Sequence, residues 1–139
     1  MKGQASLELF VTLGVVIAFT IPVILLLLSV TSIGYEDTAK AQADASARSL
    51  ADNINLVYAQ GPGAQRELLL NVPPSTESVR VTNGEVVVSI KTSGGTFDAA
   101  APTIATVANK DIPGKTGLFK LIVKTKSNGE VELIDPNPS

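Results

Sequence analysis

Carboxylates, hydroxyls and amines are the side chains available for chemistry in this chain, because it has no histidine and no cysteine. That removes the imidazole base, the thiolate nucleophile, the disulfide and the usual donors of a zinc site. Ser75, Thr76 and Glu77 form the nearest approach to a hydroxyl–carboxylate constellation, but they follow Pro73-Pro74 and read as turn chemistry. Gly94-Gly95 lacks the lysine of a phosphate-binding loop. No catalytic residue, metal site or cofactor is assigned, and the chain is not expected to be an enzyme. A net charge of -2 with scattered lysines offers no footprint for nucleic acid. The residue that stands out does so by its place: Glu8 heads an uncharged apolar run that reaches Tyr35. A carboxylate there is expensive in hydrocarbon unless a cation meets it.

The element that must carry Glu8 is a helix. From Leu9 to Val30 only Thr12, Gly14, Thr20, Pro22 and Ser29 interrupt the apolar run. At about 1.5 Å per residue this is long enough to cross a bilayer. It exceeds the core of a cleavable secretory signal, and the small triplet Ala39-Lys40-Ala41 lies too far beyond it to serve as a signal cleavage site. Gly14, Ala18 and Pro22 fall four apart, a spacing that makes a narrow face for close backbone approach; ordinary membrane-helix composition produces the same pattern. Pro22 frees the carbonyl of Ala18 and is expected to kink or loosen the helix.

No turn cluster separates Tyr35 from Gln60, and Ala39, Ala43, Ala47, Leu50, Ile54 and Val57 recur at helical spacing, so the helix is predicted to continue. Leu50, Ile54, Val57 and Tyr58 are the expected contacts with the rest of the chain. Glu36, Lys40, Asp44, Arg48 and Asp52 alternate in sign four apart and are expected to face water. Gly61-Pro62-Gly63 ends the pattern. A helix from Ala5 to Gln60 would measure on the order of 80 Å, about half of which must be covered by lipid or other chains.

Beyond it the period changes to two. Leu68, Leu70 and Val72 alternate; Val79 and Val81 lead into Asn83-Gly84, and Val86, Val88 and Ile90 follow, which predicts a hairpin with positive φ at both turn residues. Asn128-Gly129 predicts a second, joining Leu118–Lys126 to Glu130–Ile134, with Lys120, Lys124 and Lys126 facing Glu130 or Glu132 or simply water. Between them Thr92–Lys115 is broken by glycine and proline, Thr103–Val107 being an edge strand or loop, and the segment from Asp135 to Ser139 reads as a frayed tail. The predicted class is α+β, a long N-terminal helix followed by a small antiparallel, sandwich-like β head, divided as 1–3, 4–60 and 61–139.

The string Lys2-Gly3-Gln4-Ala5-Ser6-Leu7-Glu8-Leu9, set directly before the apolar run, resembles the class III signal peptide of archaeal type IV pilin-like proteins. The resemblance implies cleavage by a prepilin peptidase between Gly3 and Gln4, which makes Glu8 the fifth residue of the processed chain. It implies a homopolymeric pilus at the cell surface, reached through the cytoplasmic membrane with an assembly ATPase and a membrane platform. Glu8, the new amine of Gln4 and the track Gly14, Ala18 and Pro22 would then serve assembly. Archaellins usually start differently, so an adhesive or surface pilus is expected over a swimming filament. Asn137 precedes Pro138, and no acceptable site for asparagine-linked sugar remains. The alternative is a single-pass membrane-anchored binding module.

Overall fold

A computed structural model describes residues 2–137. Met1 of the expected leader and Pro138-Ser139 of the expected tail lie outside them. The architecture is α+β, as the patterning predicts. One helix, α1 (Lys2–Gln60), is followed by seven strands: β1 (Gln65–Val72), β2 (Thr76–Thr82), β3 (Glu85–Thr92), β4 (Gly95–Pro102), β5 (Lys110–Pro113), β6 (Gly117–Thr125) and β7 (Val131–Ile134). Two compact units divide the chain between Glu36 and Asp37, inside the helix.

In the unit up to Glu36, α1 continues through Pro22 without interruption. Hydroxyls there turn inward onto the helix: Thr20, Ser29 and Thr31 donate to the carbonyls of Val16, Leu25 and Leu27 at 2.6, 2.9 and 2.9 Å. Such back-bonding satisfies a polar side chain where the surroundings offer no partner.

In the unit from Asp37, the last part of α1 supplies one wall of the core. Ala39, Ala43, Ala47, Leu50, Ala51, Ile54 and Val57 are all buried. The alanines keep the backbone close, and the Ser46 hydroxyl donates to the carbonyl of Asn71 in β1. Tyr58, expected in this contact, is instead 37% exposed; one residue past Val57, it is turned about 100° around the helix. The charge stripe is also only partly solvated. Arg48 and Asp44 pair at 3.2 Å on the surface, whereas the Lys40 ammonium lies 5.4 Å from the ring centre of Phe97 in β4. Gly61, at φ 91°, closes the helix by donating to the Tyr58 carbonyl at 3.2 Å.

Both sheets are antiparallel, with orders β1-β6-β7 and β4-β3-β2-β5. Leu70, Val72, Leu121, Val123, Val131 and Leu133 from the first, and Val79, Val81, Val86, Val88, Ile90, Ala99, Ala101 and Ile112 from the second, join the helix residues in one hydrophobic cluster. Outward positions along each strand are mostly polar, the alternation expected of sheets with one buried face.

The two Asn-Gly hairpins form, with different turn chemistry. In the first only Gly84 takes positive φ, at 108°, and the Asn83 side chain instead accepts the Val107 N–H at 3.3 Å. In the second the loop is Ser127-Asn128-Gly129, closed by Lys126 N–H to Glu130 C=O at 2.8 Å and by Gly129 N–H to Lys126 C=O at 3.0 Å. Lys120 pairs sideways with Glu67 of β1 at 2.5 Å, while Lys124 stands opposite Glu132.

Two readings of the sequence are corrected. The broken middle stretch contains β4, which pairs with β3 from Glu85↔Pro102 to Thr92↔Gly95, and the short β5 on β2. Of the two alternatives for Thr103–Val107, edge strand or loop, the structure has the loop, with one bridge from Val107 to Val131; what the sequence did not disclose is that Ala105 and Val107 are buried. The start of the tail is not frayed: Asp135 accepts from Lys115 at 2.6 and 2.8 Å, and Lys115 also donates to the Asn137 carbonyl at 2.5 Å.

Candidate functional site

The residues singled out by sequence lie on one uninterrupted stretch of α1. Gln4 and Glu8 are one turn apart on the same side of the helix, both exposed. Glu8 makes no ion pair among the described residues. Gly14, Ala18 and Pro22 occupy successive turns, each about 40° around from the last, and the track starts about 120° around from Glu8. The track drifts back toward Glu8, so that Pro22 lies only about 40° around from it. Gly14 has open space where a side chain would stand.

What surrounds these residues decides what they can do. Every large apolar side chain from Leu7 to Tyr35 is between 46% and 71% exposed. The most apolar 18-residue window of the helix reaches a mean hydropathy of 2.8 with none of it buried. A soluble monomer rarely exposes an apolar patch beyond a few hundred Å², and this surface wraps the helix on all sides. It is an N-terminal helix long and apolar enough to cross a membrane. Glu8 stands near its start, and Tyr35, an aromatic residue of the kind that sits at a membrane–water interface, stands near the other end with Glu36 and Asp37 directly after it.

The Gly3–Gln4 bond lies within the first turn of α1, beginning at Lys2. N–H groups there lack intrahelical acceptors, so this turn opens at little cost. The Gly3–Gln4 bond is thus in the part of the helix easiest to present in extended form.

Elsewhere the strongest electrostatic feature is the Lys115–Asp135 pair, whose side chains are 12% and 6% exposed. Burial pushes the Asp135 carboxyl up, but the Lys115 hydrogen bond, the backbone N–H of Asn137 and the charges of Lys115 and Lys110 outweigh it and hold the carboxyl below its ordinary value. The Lys115 ammonium also lies 5.3 Å from the ring centre of Phe119. Sequence reasoning missed this pair, because its members are 20 residues apart and each stands alone among turn residues. Among the described residues, no three carboxylates converge where a metal ion could be held.

Comparison of the chain with protein-family models, with curated proteins and with solved structures finds no match.

Proposed function

We propose that this chain is the structural subunit of an archaeal type IV pilus of the adhesive or surface kind. A prepilin peptidase cuts between Gly3 and Gln4, and an assembly ATPase with its membrane platform polymerises the product at the cell surface. The observation that carries the reading is the division of labour along α1. The head's core takes helix residues from Ala39 onward, while Leu7 to Tyr35 is left bare.

Before assembly that bare stretch is covered by lipid, and Glu8 sits near one interface, within reach of headgroups and water. In the filament, apolar helices replace lipid. Little hydrophobic energy is gained by the exchange, because lipid tails are as apolar as leucine, so close packing along Gly14, Ala18 and Pro22 supplies the drive. Glu8 then needs a cation. The amine released at Gln4 is the nearest one, and taking it from a neighbouring subunit fixes the axial register. Before cleavage, Met1–Gly3 would occupy that place.

The test is made on sheared surface material. Polymeric particles whose chains begin at Gln4 are expected, and Glu8→Gln or Glu8→Ala should lower filament yield or alter subunit spacing. Normal yield with normal spacing in both variants would remove the role of Glu8. A chain found only as an unprocessed membrane monomer would favour an anchored binding module.

A further inference from the structure

A shallow cup opens where three parts of the head meet: the end of α1, the loop between β4 and β5, and the β6–β7 turn. Tyr58, Thr106, Asn128, Gly129 and Glu130 line it, and it encloses about 360 Å³, toward the small end of ligand sites. All of it belongs to the compact unit from Asp37.

Its walls are tied to one another through the backbone. Thr106 is held by its carbonyl, which accepts the Val131 N–H at 2.8 Å, and the Ala108 N–H returns to the Val131 carbonyl at 2.9 Å. The turn of α1 bearing Tyr58 is fixed by the Thr125 hydroxyl, which donates to the Val57 carbonyl at 2.9 Å. Asn128 uses its Oδ1 on the Glu130 N–H at 3.0 Å, which orients the amide. The polar groups, by contrast, are unspent. The Tyr58 and Thr106 hydroxyls, the Asn128 NH2 and the Glu130 carboxylate have no hydrogen-bond partner among the described residues. Gly129, at φ 87°, has no side chain to fill the space and nothing within 4 Å of where one would stand.

We infer that this cup is a binding site for a neutral saccharide. A pyranose ring has an apolar C–H face and a rim of vicinal hydroxyls. The face suits a half-exposed tyrosine ring, and the rim suits the Glu130 carboxylate, which accepts from two hydroxyls at once, and the Asn128 NH2, which donates to a third while its Oδ1 is held by the Glu130 N–H. An apolar ligand would strand four polar groups, and an anionic sugar would face Glu130. The inference goes beyond the pilus reading and holds equally for an anchored monomer.

The experiment is saturation-transfer NMR on the full chain in a zwitterionic detergent without a sugar headgroup. The probes are methyl glycosides of glucose, galactose and mannose, free N-acetylglucosamine and glucuronate, with lysine methyl ester as the competing cationic probe. Transfer to the ring C–H protons of at least one neutral sugar is expected, with glucuronate weaker. Tyr58→Ala should weaken that binding roughly three- to tenfold, the value of one aromatic contact. Tyr58→Phe should retain the stacking part, and Glu130→Gln should recover glucuronate relative to the neutral sugar. Circular dichroism confirms that each variant keeps its fold. Absence of transfer to every neutral sugar, transfer to lysine methyl ester alone, or unchanged sugar binding in folded Tyr58→Ala and Glu130→Gln would each overturn the assignment.

Discussion

At Asp135 two opposite influences meet on one carboxyl: burial favours the neutral form, and Lys115, the Asn137 N–H and Lys110 favour the ion. The ion wins, so the folded value lies below the ordinary 3.8. A depressed carboxylate contributes stability above its unfolded value and loses it as pH falls through the folded one. Acid titration of the full chain should therefore release residues 135–137 only below the ordinary carboxylate range, read as loss of amide-exchange protection at Asn137. Asp135→Asn should flatten that acid limb. Lys115→Met, which strands a nearly buried carboxylate, should destabilise the head by roughly 1–3 kcal/mol in a denaturant melt, between the values of exposed and buried pairs. Equal acid sensitivity in wild type and Asp135→Asn would show that the pair is not the cause.

At the scale of elements, α1 keeps its helical form at Pro22 although that residue gives the Ala18 carbonyl no N–H. Pro22→Ala restores the donor. Hydrogen exchange in micelles should show greater protection around residues 18–22, a gain of up to about 3 kcal/mol in local helix stability. Unchanged protection would mean that the proline is already compensated. The same elements show what a sequence discloses. Val79, Val81, Val86, Val88 and Ile90 alternate around Asn83-Gly84, and both strands and the place of their turn were legible, because alternation is a local property; the turn's conformation was not, since only Gly84 takes positive φ. β4 was not. Its residues Ala99, Ala100 and Ala101 carry little β preference, Gly94-Gly95 and Pro102 read as breakers, and the segment is a strand because β3 lies beside it in register. Tyr58 was assigned to the core for the same reason in reverse: a periodic pattern marks a face but not its edge. Glu8 was singled out from chain position and hydropathy alone, and among the described residues it makes no ion pair.

For the whole molecule, the position of the compact boundary has a direct consequence. A fragment beginning at residue 61 discards Leu50, Ile54 and Val57, each fully buried, together with the buried alanines. It should aggregate or melt without cooperativity. A fragment from residue 37 keeps the cluster, sheds the bare apolar helix, and should be a soluble monomer with a single unfolding transition, as sedimentation and thermal melts would show. Equal stability of the two fragments would contradict a core that includes α1. Thr125 places a further demand on such a chain. It is 1% exposed, its N–H donates to the Ala64 carbonyl, its carbonyl accepts from Gly63, and its hydroxyl holds the end of a helix 68 residues earlier. Its strand is also the partner of β1. Because such distant pairings must wait for chain closure, the head cannot complete itself during emergence from a ribosome or translocon. Until β6 arrives, the alanine face of α1 and the inner face of β1 stand open together, so maturation is a race between C-terminal delivery and aggregation.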